Sequence, residues 1–280
     1  MRLFRFGDPA GERPGAIDGG GVARDISSIL GDLAGEALSP ASLAALKTID
    51  LTRFPAVDDA VRRGPCVTGV SNFIAVGLNY AGHAAETGAR LPTEPVLFNK
   101  APSCIVGPND DLRLPRGSSK TDWEVELAVI IGKHASYIAE ADAHTVIAGY
   151  CVCNDVSERS FQLERGGQWT KGKGCPTFGP LGPWLVTPDE IEDVQNLTLW
   201  LDVNGQRMQS DSTASMVFGV HYLVSYISQF MALQPGDVIA TGTPPGVALG
   251  MKSPRYLTAG DVVSLGIERL GTQRQRVIAE

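Results

Sequence analysis

DWEVELAVIIG, Asp122 to Gly132, is the stretch on which the reading of this chain turns. Its apolar end, with Val125, Leu127, Val129, Ile130 and Ile131, predicts a β-strand closed by Gly132. Side chains alternate faces along a strand, so Glu124 and Glu126 point one way while Trp123, Val125 and Leu127 point the other. Two carboxylates side by side against an apolar run repel each other unless a cation lies between them. The remainder of the chain has to account for that pair.

The chain has 280 residues, enough for one large domain or a large domain with a small companion. At this length roughly three quarters of the unfolded surface can be buried without staples. Hydrophobic content of 43% and charged content of 20% are ordinary for a soluble globular protein. A formal net charge of −7 and the lack of a basic run argue against nucleic acid as a partner. The opening MRLFRFGDPAGE meets Gly and Pro too early for a signal peptide. No apolar run approaches the ~18 residues needed to cross a bilayer. Cys66, Cys104, Cys151, Cys153 and Cys175 are odd in number and lack CxxC spacing, so neither a disulfide framework nor a zinc site is expected. The default setting is reduced and cytoplasmic.

Residues 1–69 read as a small N-terminal α/β packing domain. RLFRFG begins with a short strand, ARDISSIL reads as a loop, and SPASLAALKTI as a helix capped by Ser39 with Pro40 at its first position. Residues 70–280 form the larger domain. FIAVGLNY is an apolar strand, and AGHAAETG a short helix with Asn79 as cap and Gly88 as stop. TVIAGYCVCNDVSER is a buried strand ending at Asn154 and Asp155. Val156 to Arg165 has helical polarity, and Gly166 to Pro183 reads as a Gly/Pro-rich loop carrying Lys171 and Lys173. LTLWLDVNGQRMQ is a hairpin whose Asn204-Gly205 is a type I′ signal. SMVFGVHYLVSYISQFM has the period of an amphipathic helix, and AGDVVSLGIERLG with QRQRVI reads as a final hairpin. Strands outnumber helices and do not alternate with them, which points to a mostly β, α+β fold rather than a doubly wound sheet.

Asp155, at the end of an apolar strand, adds a third carboxylate to Glu124 and Glu126. Three carboxylates without a nearby His or Cys ligand define a hard oxygen site suited to Mg²⁺ or Mn²⁺. His83 and Glu86 share one helix face, which suits a base oriented by a carboxylate. His134, His144 and His221 read as turn or structural residues, and Cys151 and Cys153 as core. Lys173 reads either as a solvated loop lysine or as a site residue. Its loop is no Walker A, since Gly174 follows it. The TGTPPG loop offers Thr241, Thr243 and backbone N–H groups as a cradle for an anionic oxygen.

Taken in order, NYxxHxxE (Asn79, Tyr80, His83, Glu86), Glu124 and Glu126, NDVSERxxQ (Asn154 to Arg159, Gln162), KGKGCPTFGP with Lys173, and TGTPPG resemble the fumarylacetoacetate hydrolase family from Asn72 to the C-terminus. Within it, RLFRFG, RPGAID, FNKAPS, KTDWEVEL and ERGGQW are most similar to bacterial 2,4-diketo-3-deoxy-L-sugar-acid (rhamnonate/fuconate) hydrolases. The resemblance implies a β-roll of mixed sheets with a small N-terminal domain, assembled as a homodimer or dimer of dimers. It implies Glu124, Glu126 and Asp155 as metal ligands, Lys173 beside the metal, and His83 with Glu86 as a catalytic dyad on a lid. Arg159, Gln162, Thr243 and Tyr80 match substrate-contacting positions. Asn99 in FNKAPS replaces the leucine of FLKPS and Ala101 shifts the proline, so Lys100 receives no role.

The implied activity is hydrolysis of the C3–C4 bond of a 2,4-diketo acid, giving pyruvate and a 2-hydroxy acid such as L-lactate. Three carboxylates around Mg²⁺ leave the site at −1, a poor setting for acidifying water, so water activation falls to His83. Alternatives on the same scaffold are an acylpyruvase, an oxaloacetate decarboxylase or a 2-hydroxyhepta-2,4-diene-1,7-dioate isomerase. A non-catalytic small-acid-binding protein is the alternative of another class.

Overall fold

The computed structural model describes residues 1–280. The strand expected from DWEVELAVIIG runs Val125–Ile131, and every residue in it is buried. It lies in the middle of a ten-stranded mixed sheet. One neighbour is Ile147–Asn154, antiparallel, with Cys153 opposite Glu126. The other is Val238–Ala240, antiparallel, with Ala240 opposite Ala128. Beyond that strand come Phe73–Gly77, parallel to it, and then Val96–Lys100 at the edge. Both faces of the central strand are covered, which is why it reads as a near-continuous apolar run.

A second, five-stranded sheet holds the two predicted hairpins and ends on Leu112–Leu114. Asn204 and Gly205 both have positive φ, +53° and +78°, as a type I′ turn requires. This sheet packs over Val125–Ile131 and Ile147–Asn154. Gln273 Nε2 crosses between the layers to Val152 O at 2.8 Å. The helices are short, the longest being the eight-residue Pro40–Lys47 and Val220–Ile227. The fold is α+β and mostly β, as expected.

Three expectations need correction. The N-terminal residues are not set apart: Arg2–Phe6, Arg13–Ile17 and Ala23–Asp25 continue the main sheet, because Arg2–Phe6 pairs with Gly179–Val186. Leu3, Ile26 and Leu33 belong to the same apolar core as the central strand. The predicted loop of residues 166–183 contains the helix Thr170–Lys173 and the start of the strand Gly179–Val186. Pro183 is tolerated where the pairing to Ile147–Asn154 is irregular, with a register shift between Tyr150 and Val152, and Pro180 lies past the last paired residue, Leu181, opposite Val106. The amphipathic helix is also shorter than its period suggested. It begins after Gly219, because Met216 pairs with Tyr80 and Val217 N donates to Asn79 O at 2.7 Å, holding the preceding residues extended.

Candidate active site

Asp122 ends the short strand Thr121–Asp122, Glu124 immediately precedes the strand Val125–Ile131 and Glu126 lies within it, and all three are buried. Asp155, which follows the neighbouring strand, is drawn in by its own N–H donating to Glu124 O at 2.9 Å. One oxygen from each of Glu124, Glu126 and Asp155 falls within 4.8 Å of the others. The sequence thus located this cluster correctly. It did not locate what surrounds it.

Three cations are buried against these acids. Lys173 Nζ lies between Glu124 Oε2 (2.6 Å) and Asp155 Oδ2 (2.7 Å), so it is not a solvated loop lysine. Lys100 Nζ is 2.6 Å from Asp155 Oδ1 and donates to Lys173 O at 2.5 Å. Arg159 donates from Nε to Asp122 Oδ2 (2.9 Å), from Nη2 to Glu124 Oε1 (2.6 Å) and from Nη1 to Gln162 Oε1 (3.1 Å). Burial alone would raise the Glu124 carboxyl, but Lys173 and Arg159 hold it below the usual carboxylate range. Burial alone would lower Lys100, and the charge of Asp155 reverses that and raises it.

Glu126 is different. No cation pairs with it, and Oε2 accepts only the Gly242 N–H, at 2.8 Å. Burial, then the charges of Asp155 and Glu124, push its carboxyl well above the usual range. Lys100 is close to Asp155 Oδ1 but outside hydrogen-bonding direction, so this buried oxygen has no hydrogen-bond partner. An unpaired carboxylate and an orphaned carboxylate oxygen beside Glu124 make an oxygen-only donor set that fits Mg²⁺ or Mn²⁺. The four acids and three cations leave one net negative charge, so a divalent ion would make the cluster +1. The expected −1 counted only three carboxylates and the ion; Asp122, Lys100, Lys173 and Arg159 change it.

Asp122 and Lys100 are the residues that sequence reasoning missed. Asp122 had a usable signal, the same two-residue spacing as the glutamates. It also accepts the N–H groups of Ala248 (2.8 Å) and Leu249 (3.0 Å), fixing the loop beyond TGTPPG. Lys100→Met should cost about 3–5 kcal/mol of stability by leaving Asp155 with one less buried partner. Denaturant unfolding of the metal-free protein measures this, and a loss under about 1 kcal/mol would show the pair to be dispensable.

His83 sits on the helix Ala81–Glu86, with Nδ1 2.8 Å from Glu86 Oε1. Glu86 Oε2 in turn accepts the Gly246 N–H at 2.8 Å, which ties the dyad to the end of the TGTPPG loop. A carboxylate on Nδ1 favours the tautomer whose lone pair is on Nε2. Asn79 is not the helix cap, a position taken by Tyr80 without a side-chain bond. Asn79 instead clamps distant loops, donating to Phe218 O and Thr241 O and accepting from Phe218 N.

A cavity of about 200 Å³ joins these groups, lined by His83, Glu124, Glu126, Arg159, Gln162, Lys173 and Thr243 among others. Tyr80 does not line it. Its ring is wholly buried, and burial together with Glu126 and Asp211 raises its hydroxyl well above the usual phenol range. The TGTPPG loop is not a free anion cradle either. Thr241 Oγ1 donates to Leu127 O (2.9 Å), Thr243 Oγ1 to Val125 O (3.0 Å), and Gly242 N to Glu126, so its donors brace the carboxylate strand.

The sequence pattern of the fumarylacetoacetate (FAA) hydrolase C-terminal family matches residues 72–278. A protein of Burkholderia multivorans is 56% identical over 276 residues, 98% of each chain, and its name gives only a provisional assignment as a hydrolase. The structure of 2-hydroxyhepta-2,4-diene-1,7-dioate isomerase from Mycobacterium marinum superposes with a TM-score of 0.80 at 35% identity, covering 100% of this chain and 99% of that one. The maleylpyruvate hydrolase of Sphingobium sp. SYK-6, solved with manganese(II) and pyruvate, gives 0.82 at 29% identity with the same coverage. No helix in this chain is long and apolar enough to cross a membrane.

Proposed function

The chain belongs to the fumarylacetoacetate hydrolase family, and from that premise we propose that it hydrolyses the C3–C4 bond of a 2,4-diketo acid with Mg²⁺ or Mn²⁺. The observation that carries this reading is the His83–Glu86 dyad opening onto the same cavity as Glu124 and Glu126. A hydrolase needs a base for water, whereas an isomerisation or decarboxylation consumes none. The manganese and pyruvate held by the Sphingobium hydrolase support the metal and the product class.

Glu124, Glu126 and Asp155 would hold the ion. When bound, it would supply Lewis-acid stabilisation of developing negative charge, typically several kcal/mol. Lys173 and Arg159 keep Glu124 aligned and present positive charge where an acidic substrate enters. His83 Nε2 takes a proton from water, and Glu86 stabilises the resulting imidazolium. The water oxygen bonds to C4, and the C3–C4 pair of electrons leaves with C3 as the enolate of pyruvate. The proton taken up by His83 is returned to C3, completing pyruvate and restoring the neutral imidazole, while C4 becomes the carboxyl of the second product. Gln162 and Thr243 lie on the cavity wall, where Gln162 Nε2 would be free to donate to a substrate oxygen.

The finer assignment is a 2,4-diketo-3-deoxy-L-rhamnonate or L-fuconate type of substrate, yielding L-lactate. It is supported by the whole-chain resemblance in RLFRFG, FNKAPS, KTDWEVEL and ERGGQW. Pyruvate release from a panel of 2,4-diketo-3-deoxy acids and acylpyruvates, with and without chelator, tests it. Chelator-sensitive release from the deoxy-sugar acids is expected. Isomerisation of a heptadienedioate with no pyruvate from any member would overturn the reading.

A further inference from the structure

We propose that the cavity selects 2-oxo acids whose far end is uncharged and apolar, turning away those that end in a second carboxylate. The acylpyruvate form of the substrate rests on the hydrolase reading above, whereas the end-group preference follows from the cavity wall.

Lys173 and Arg159 are the lysine and arginine that line the cavity, and each is already paired with two carboxylates. Lys173 Nζ is held by Glu124 and Asp155, and Arg159 by Asp122, Glu124 and Gln162. One acid group on the ligand can be met by this cluster together with a divalent ion. A second carboxylate finds no further lysine or arginine on the wall. Arg90 follows the lining residue Ala89 but is itself exposed and off the wall, and Arg165 is stacked on Phe161 at 4.2 Å.

Most of the remaining wall is apolar, with Leu78, Phe98, Leu163, Trp169 and Leu249, and the hydroxyl of the one other polar side chain, Thr87, is bonded to His83 O and Ala84 O. Lys173 Nζ is 5.1 Å from the Phe98 ring centroid, and Trp169 meets Phe98 edge-on at 5.2 Å. Trp169 packs on Gly77 so closely that a Cβ there would lie 2.6 Å from its Cζ3. The surface leading away from Lys173 is thus aromatic. The turn that delivers Trp169 needs Gly166 and Gly167, with φ of +81° and +71°. Leu163, 46% exposed, marks the mouth. Gln162 Oε1 is taken by Arg159, leaving Nε2 to meet a single carbonyl or hydroxyl oxygen. At about 200 Å³ the space also suits a short chain, since drug-sized ligands occupy ~300 Å³ or more. A carboxylate desolvated against such a wall without a partner binds poorly.

The test compares kcat/KM of the Mn²⁺-loaded protein for 2,4-dioxoheptanoate and 2,4-dioxoheptanedioate, which differ only in a terminal methyl against a carboxylate. The methyl-ended acid should be favoured by ~10²-fold or more, chiefly through KM. Equal or reversed values would overturn the proposal. If neither is cleaved, the hydrolase reading fails. Selectivity is then read by calorimetry with 2-oxoheptanoate and 2-oxoheptanedioate, which cannot undergo the cleavage. Binding of the monoacid at least ~10-fold tighter sustains the proposal. Equal affinity, a tighter diacid or no binding of either rejects it. Leu163→Arg, at a half-exposed position that spares the core, should shift the ratio of the two acids at least ~10-fold toward the diacid. An unchanged ratio counts against the proposal.

Discussion

His83→Ala should lower kcat for pyruvate release by ~10²–10⁴-fold while KM stays within a few-fold. The imidazole is nearly buried, its Nδ1 is fixed by Glu86, and Glu86 is fixed by Gly246 N–H. The carboxylate cluster has its own hydrogen-bonded and ion-paired partners, Lys100, Lys173 and Arg159, and His83 makes no direct bond to it. Divalent-ion binding by the variant, measured by calorimetry, should therefore match wild type. Glu86→Gln keeps a hydrogen-bond acceptor on Nδ1 but removes the charge that stabilises imidazolium, so its loss in kcat should be smaller. Turnover by His83→Ala near the wild-type rate would show that water is activated elsewhere.

Removing the divalent ion should have an effect at least as large. Several kcal/mol of charge stabilisation corresponds to ~10²–10³-fold or more in rate, restored by adding Mg²⁺ or Mn²⁺. Glu126→Gln provides the genetic equivalent, because it takes away the one carboxylate of the three that no cation holds. The substitution should abolish ion binding and activity. Its effect on the metal-free fold should run the opposite way. The Glu126 carboxyl is raised in the folded state, so ionising it above the unfolded value of about 4.3 costs stability, and the penalty grows with pH. Metal-free Glu126→Gln should then be at least as stable as wild type at neutral pH in denaturant titration. A clear loss would mean that the ionised carboxylate is supporting the fold. Activity that survives chelation and does not respond to added metal would remove the carboxylate cluster from catalysis.

What the amino-acid order determined by itself was local. The two-residue spacing of Glu124 and Glu126 brought them into one cluster, because the side chains of extended chain alternate with a period of two whatever surrounds it. Ser39 caps its helix, accepting the Ser42 N–H at 3.1 Å, and Asn204-Gly205 makes its turn, because both signals act within four residues. The His83–Glu86 pair was legible for the same reason, three positions apart on one helical turn. The tertiary structure decided which charges meet. Lys173 reaches Glu124 across 49 positions and Gly246 reaches Glu86 across 160. Gly166 to Pro183 looked like loop because Gly and Pro dominate its composition, yet its pairing with Ile147–Asn154 makes part of it a strand. Coulomb attraction and ladder hydrogen bonds depend on distance through space, which no local pattern records. That is why Glu124, Glu126 and Asp155 could be found from the order of residues, while the pairing of Lys100, Lys173 and Arg159 with them emerged only from the folded chain.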